Sequence, residues 1–198
     1  MLVASLPSSV LGQEKAKQPD SYEAMVERVK TGDQSVDFRQ LRLAYAESPN
    51  YGNGPDTDPQ KKSMTAALNG KDFVTAIKNA DAVLAGNYVD MDAHFAEYIA
   101  HREMREPERA EFHKFVLQGL LRSITDSGDG KTPETAYQVI EVHEEYVLLN
   151  FMGVGLPKSQ SYLHKNGHAY DAMTFDDPRS KKERTLYFNV DIPAKHGL

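Results

Sequence analysis

The chain changes its hydrophobic period once, at Ser127-Gly-Asp-Gly130. Before this segment, apolar residues recur every three or four positions, which is the period of an α-helix buried on one face. After it, apolar and polar residues begin to alternate, which is the period of a half-buried β-strand. We therefore predict an α+β protein that is helical first and a β-sheet at the end.

This change of period divides the chain into three segments. Residues 1–20 are expected to be a disordered terminus or the remnant of a leader, 21–125 a helical region, and 126–198 an antiparallel β region packed on the helices as one compact unit. Six helices are predicted, within residues 21–31, 37–47, 58–69, 71–85, 90–99 and 107–124. The last of these is apolar on several sides, which is typical of a central helix.

Extended segments are predicted at residues 137–143, 145–152, 160–164, 168–175 and 184–192. Lys165-Asn-Gly167 and Asp176–Ser180 between them resemble turns. The short spacers leave no room for crossover helices, so we expect an antiparallel meander.

Composition excludes several kinds of site. The chain has 198 residues and no cysteine, so it has no disulfide, thiolate nucleophile, zinc ribbon or iron–sulfur cluster. Its net charge of −6 arises from 29 acidic and 23 basic residues that are mixed along the chain. This mixture offers no basic stripe for nucleic acid, and no apolar run reaches the roughly 18 residues of a membrane span.

The first residues suggest export. Met1 to Gln13 is apolar and small, and Glu14 to Asp20 turns abruptly polar, as in the second half of an export signal. The basic start of such a signal is missing. We expect an exported or periplasmic protein if the true start lies upstream of Met1, and a cytoplasmic one otherwise.

Two cofactor-like motifs have simpler interpretations. Gly128-Asp-Gly-Lys-Thr132 is similar to the end of a phosphate-binding loop, but Thr125 stands where that loop needs its first glycine. Asp126, Asp129 and Gly130 suggest a calcium loop, but its final glutamate position is Ala136. Both segments favour a tight Asp-Gly turn, and we predict no cofactor.

No catalytic or metal residue is predicted outright, but five residues are the candidates if a site exists. His143 and Glu145 lie at an expected corner between strands, where Glu144 and Glu145 would point to opposite faces as solvated charges. His164 and His168 flank an expected hairpin turn, with Asp171 further along the second strand. For the helical histidines we expect packing or surface roles; these are His94, His101 and His113.

The middle of the chain resembles a degenerate tetratricopeptide-type array of helical hairpins. Ala76 and Ala110 lie 34 residues apart, as do Val83 and Leu117, which is the period of that repeat. The resemblance implies that small residues let adjacent helices approach closely.

A second resemblance covers the chain from about Tyr22 to Ile192. The segments Asp37–Tyr45, Ser123–Tyr137, Val139–Tyr146 and Tyr187–Asp191 are similar to those of a family of exported bacterial proteins known only as a domain of unknown function. This resemblance implies a helical first half, a β second half and a leader peptide. It implies no substrate, cofactor or catalytic residue.

From these features we expect an uncharacterised, non-enzymatic, exported protein that binds a protein or peptide through its helical half. The chain has no Gly-x-Ser-x-Gly, His-Glu-x-x-His or glycine-rich dinucleotide motif, which lowers the expectation of an enzyme. One alternative is a small hydrolase or metal-binding enzyme with its site at the sheet corner. Another is an intracellular structural or stress protein.

Overall fold

The computed structural model describes residues 20–177, 180 and 182–197. Most of its helices precede a four-stranded sheet, so the predicted α+β class is confirmed. The helices are α1 (Tyr22–Lys30), α2 (Phe38–Ala46), α3 (Asp58–Asn69), α4 (Phe73–Gly86), α5 (Met91–Glu103), α6 (Pro107–Thr125), α7 (His143–Phe151) and α8 (Asp191–Lys195). The strands are β1 (Tyr137–Gln138), β2 (Ser159–Lys165), β3 (His168–Asp176) and β4 (Glu183–Asn189). Among the described residues, no helix is both long and apolar enough to cross a membrane.

Short polar side chains begin the helices where the sequence predicts. Ser21, Asp37 and Asp90 each accept a hydrogen bond from a backbone N–H in the first turn that follows, which satisfies donors that a helix start leaves free. Asp58, expected to precede α3, is instead its first residue and follows Thr57. Asp20 lies in the predicted disordered segment, yet it pairs with Arg28; residues 1–19 lie outside the described part of the chain.

Helices α3 to α6 pack as neighbours in chain order, which agrees with the predicted hairpins. Small residues lie at their contacts: Ala76, Ala80, Ala96 and Ala100 are fully buried, and Ala110 is nearly so. Helix α2 crosses α6 where a side chain at Gly119 would come within 2.4 Å of the Phe38 ring. Glycine at this position therefore allows the two helices to approach closely.

The sheet is mixed, so the prediction of a purely antiparallel meander is corrected. The strand order is β1-β4-β3-β2, and β1 pairs with β4 in parallel through Tyr137–Phe188 and Gln138–Asn189. The other pairs are antiparallel, as expected. Parallel pairing needs a connection that returns to the same end of the sheet, and the chain between β1 and β4 contains α7.

Helix α7 replaces a predicted strand. We expected strands at 137–143 and 145–152, but only Tyr137–Gln138 is extended, and His143–Phe151 is helical. A short apolar run fits either structure when its period is unclear. The helix buries Glu144 and Glu145 and, three or four positions later, Val147, Leu148 and Leu149, whereas a strand would have sent every second residue to the opposite face.

One buried ion pair joins the helical half to the C-terminal half. Arg42 of α2 donates through Nε to Glu144 of α7 at 2.9 Å, and a second guanidinium nitrogen pairs with the other carboxylate oxygen. Arg42 also donates to the Ser123 hydroxyl at 3.1 Å and to the Gln138 carbonyl at 3.3 Å. Glu144 accepts from the Ile140 backbone N–H at 2.8 Å. These contacts link α2, α6, β1 and α7 through one guanidinium group.

Replacing Ala76 or Ala110 by leucine is expected to destabilise the protein by about 1–3 kcal/mol, because a larger side chain overpacks a close helix contact. Ala85→Leu is the matched control, since Ala85 is exposed on α4 and should tolerate the change within about 0.5 kcal/mol. Urea denaturation of the three variants measures this. If all three unfold at the same midpoint, the close packing at Ala76 and Ala110 carries no energetic weight.

Candidate functional site

The structure separates the residues proposed for a site at the sheet corner. His143 lies on the surface of α7, where its Nε2 is 2.5 Å from the Asp92 carboxylate, and this hydrogen bond raises the pKa of His143. Glu145 is on the same helix but is fully buried. The exposed imidazole and the buried carboxyl group therefore do not form one site.

The hairpin histidines also point to different faces. The predicted turn is confirmed, with Asn166 and Gly167 in the left-handed region. The strand register pairs His164 with Ala169 and Tyr162 with Asp171, so His164 and Asp171 share one face of the sheet. His168 pairs with Lys165, on the opposite face, and its Nδ1 is 2.6 Å from Asp191.

A buried pair of carboxyl groups joins α7 to β3. Glu145 has no exposed surface and Asp171 is 5% exposed, so the expectation that Glu145 is a solvated charge is wrong, as it is for buried Glu144. Asp171 accepts a hydrogen bond from Gln160 at 2.7 Å, and its carboxyl group is the neighbour that Glu145 meets in the interior. Burial, with the nearby Asp171 charge, raises the pKa of Glu145 to about 9.

A larger polar cluster lies between α5 and α6. We define the α5–α6 polar cluster as His94, Glu97 and His101 of α5, Glu106 at the start of α6, and His113 of α6. The α5 members are three and four positions apart, so they share one face of the helix, and each is at most 3% exposed. Arg105, with φ of 62°, turns the chain so that Glu106 reaches back to His101.

Every imidazole of the cluster is held by hydrogen bonds. The two ring nitrogens of His101 contact carboxylates: Nδ1 is 2.7 Å from Glu106, and Nε2 is 3.0 Å from Glu97. The Nδ1 atoms of His94 and His113 are 3.1 Å apart. The rings of His101 and His113 stack, with centroids 5.8 Å apart.

Burial favours the neutral forms of these groups. Desolvation lowers the pKa of His94 to about 4 and that of His113 to about 3, and in His113 the neighbouring positive charges act in the same direction. Desolvation raises the pKa of Glu97 to about 8, assisted by the charge of Asp81. The Oε1 atom of Glu97 has no hydrogen-bond partner in the described part of the chain, so the cluster holds an unsatisfied acceptor.

Three members of the cluster could hold a metal ion together. One carboxylate oxygen of Glu97 and one ring nitrogen from each of His101 and His113 all lie within 4.8 Å of one another. At metal–ligand distances of about 2.0–2.2 Å, neighbouring ligand atoms of a tetrahedral zinc site lie roughly 3.3 Å apart. The Nε2 atom of His101 and the Oε2 atom of Glu97 are 3.0 Å apart, which is close to that value. The ring nitrogen of His113 lies within 4.8 Å of both ligand partners.

Comparison with known proteins assigns the family but no chemistry. A family model described as a domain of unknown function (DUF4919) matches residues 14–196. The chain belongs to this family. No curated protein and no solved structure matches it. The predicted resemblance to a domain of unknown function is thus confirmed, and the function of this DUF4919 domain has to be inferred from its residues.

Sequence reasoning underrated the helical histidines of this DUF4919 domain. The expected packing role fits their burial, but the sequence contains a signal for more. His94-x-x-Glu97-x-x-x-His101 places three polar groups on the α5 face that also carries Ala93, Ala96 and Ala100, which is a buried face. Only tertiary packing brings His113 of the next helix to that face.

Because Glu145 is buried, we predict that the protein loses stability as the pH rises through the range between its unfolded and folded pKa values. Its pKa is about 4.5 unfolded and about 9 folded, so between these values the folded state holds a proton that the unfolded state has lost. Its contribution is therefore complete below pH 4.5 and falls as the pH rises towards 9. Glutamine stays neutral at both pH values. Between pH 5 and pH 8, the free energy of unfolding should therefore fall by roughly 2–4 kcal/mol less in Glu145→Gln than in the wild type.

Urea titrations at the two pH values measure this difference. The control is Glu108→Gln, which neutralises an exposed carboxylate of α6 and should follow the wild type. Parallel pH profiles for wild type and Glu145→Gln would show that Glu145 is not protonated in the folded protein.

Proposed function

We propose that this DUF4919 protein binds a divalent transition-metal ion, with Zn²⁺ as the preferred ion, through Glu97, His101 and His113. The observation that carries the proposal is the convergence of three ligand atoms within 4.8 Å inside the protein. Two imidazoles and one carboxylate form a ligand set typical of zinc, whereas Mg²⁺ and Ca²⁺ prefer oxygen ligands alone.

The groups around the three ligands support this role. Metal-bound histidines usually donate their other ring N–H to a carboxylate or carbonyl, and the Nδ1 of His101 meets the Glu106 carboxylate at 2.7 Å. The Oε1 atom of Glu97, which lacks a partner in the described chain, has a lone pair free for an ion. A metal ion would also satisfy an acceptor that is otherwise costly to bury.

The burial of the ligands favours a metal that holds helices together. Glu97 and His101 are 1% and 3% exposed, and His113 belongs to the next helix, so the ion would bridge α5 and α6. This proposal departs from the sequence prediction that no residue binds metal. It also moves the alternative metal site from the sheet corner to the helical half.

Adding Zn²⁺ to protein stripped with a chelator should raise its melting temperature. At a zinc concentration 100 times the dissociation constant, binding to the folded state alone adds about 2.7 kcal/mol to stability. Glu97→Gln and His113→Ala should each abolish most of the increase, while Mg²⁺ should produce none. His164→Ala is the control, since it removes an exposed histidine of β2.

Differential scanning calorimetry measures the melting temperature, and isothermal titration calorimetry measures zinc binding. A melting temperature that Zn²⁺ leaves unchanged would refute the metal site. An increase that survives in Glu97→Gln and His113→Ala but disappears in His164→Ala would place the ion at the β2–β3 hairpin instead.

Peptide binding through the helical half is a second candidate function, supported by a surface cavity between α2 and α6. The cavity has a volume of about 420 Å³, and its lining includes the aromatic residues Phe38 and Phe115, the cations Arg39 and Arg122, and the acids Asp37 and Asp126. Such a lining suits a peptide that inserts an apolar side chain and places a carboxylate near the arginines.

Selection of a random heptapeptide phage library against the protein tests this candidate. We expect enriched peptides that combine an aromatic or aliphatic residue with an acidic one. Arg122→Glu should abolish their binding, whereas Lys62→Glu, an exposed charge reversal on α3, should not. Enriched peptides that bind Arg122→Glu as well as wild type would exclude this cavity.

Export of the protein also remains a proposal. It is supported by the apolar composition of Met1 to Gln13, and fractionation of the native host tests it directly.

A further inference from the structure

His94 is the histidine of the α5–α6 polar cluster that is not a proposed ligand. It is fully buried, and both of its ring nitrogens are engaged. Nε2 lies 2.8 Å from the Tyr88 backbone carbonyl, and Nδ1 lies 3.1 Å from Nδ1 of His113. His94 thus connects a fixed backbone acceptor to one of the proposed metal ligands.

The Tyr88 carbonyl determines which nitrogen of His94 carries a proton. A carbonyl oxygen only accepts hydrogen bonds, so the Nε2 atom of His94 must be the donor in this contact. The two Nδ1 atoms then share a single proton. If it resides on His94, His94 is an imidazolium cation; if it resides on His113, both rings are neutral.

The surroundings of His94 favour two neutral rings. Its two hydrogen-bond partners in the described chain are the Tyr88 carbonyl and His113, and neither is an anion. Asp90 is the acid whose charge favours a protonated His94, but its carboxylate is paired with Lys61 at 2.7 Å. A cation without a paired anion is costly in a fully buried position.

We infer that His94 is a positioning residue: it holds His113 in the tautomer with hydrogen on Nδ1, which leaves the lone pair of Nε2 for a metal ion. This inference rests on the proposed metal site. His94 acts on His113 as Glu106 acts on His101, since each occupies the nitrogen that does not bind the ion. The tautomer of both ligand rings is therefore set before the metal arrives.

Nuclear magnetic resonance of the metal-free, ¹⁵N-labelled full-length protein tests the tautomers. Long-range proton–nitrogen correlations distinguish a protonated ring nitrogen from a bare one. We expect hydrogen on Nε2 of His94 and on Nδ1 of His113. On addition of Zn²⁺, the Nε2 resonance of His113 should be the one that moves. An imidazolium at His94, or hydrogen on Nε2 of His113, would overturn the inference.

Variants at position 94 test the consequence for metal affinity. His94→Phe replaces the imidazole by an apolar aromatic ring and so removes both hydrogen bonds, and we expect zinc affinity to fall about 10- to 100-fold, as for other residues that orient metal ligands. His94→Gln should restore much of the affinity, because its amide supplies one donor and one acceptor. His168→Gln, at an exposed site on β3, is the matched control.

Isothermal titration with Zn²⁺ separates the two proposals. Equal zinc affinity in wild type, His94→Phe and His94→Gln overturns the positioning role and leaves the metal site intact. The absence of zinc binding by the wild type overturns the proposed function and the positioning role together. If His94→Phe does not fold, the wild-type tautomers and the His94→Gln affinity still decide the inference.

Discussion

Arg42 is the side chain on which the junction of the two halves depends. Its guanidinium group reaches Glu144 of α7, the Ser123 hydroxyl of α6 and the Gln138 carbonyl of β1. Arg42, Glu144 and Ser123 are buried, and a buried charge that lost its partner would cost several kcal/mol. The contacts therefore specify one arrangement of α2, α6 and α7, and alternatives that separate Arg42 from Glu144 are strongly disfavoured.

Two further sets of buried polar side chains are stabilised in different ways. Glu145 lies beside Asp171, and burial together with this like charge favours the neutral form of its carboxyl group. The α5–α6 polar cluster instead combines imidazoles and carboxylates, so donors and acceptors can be matched along a chain of hydrogen bonds. The unsatisfied Oε1 atom of Glu97 is the exception, and it belongs to the carboxyl group that we propose as one of the three metal ligands.

Local patterns predicted much of the helical half because helix signals are short-range. Capping residues such as Ser21, Asp37 and Asp90 mark where a helix begins. The apolar residues that follow at helical spacing show that the segment is a helix. The Lys165–Gly167 turn was predicted for the same reason, since Asn166 and Gly167 adopt left-handed conformations readily. The segment His143–Phe151 contained no such signal. Its apolar residues fit a strand as well as a helix, and the contact of Glu144 with Arg42, 102 positions away, is consistent only with the fold as a whole.

The sequence alone determined the α+β class, the order of the first six helices, the absence of thiol chemistry and the membership of a family of unknown function. These properties follow from composition, period and local turn chemistry, which act over a few residues. Tertiary structure alone decided that β1 pairs in parallel, that Glu144 and Glu145 are buried, and that His113 meets Glu97 and His101. Each of these outcomes depends on contacts between residues distant in the chain, where the gain from burying apolar surface overrides the local preference of any one segment.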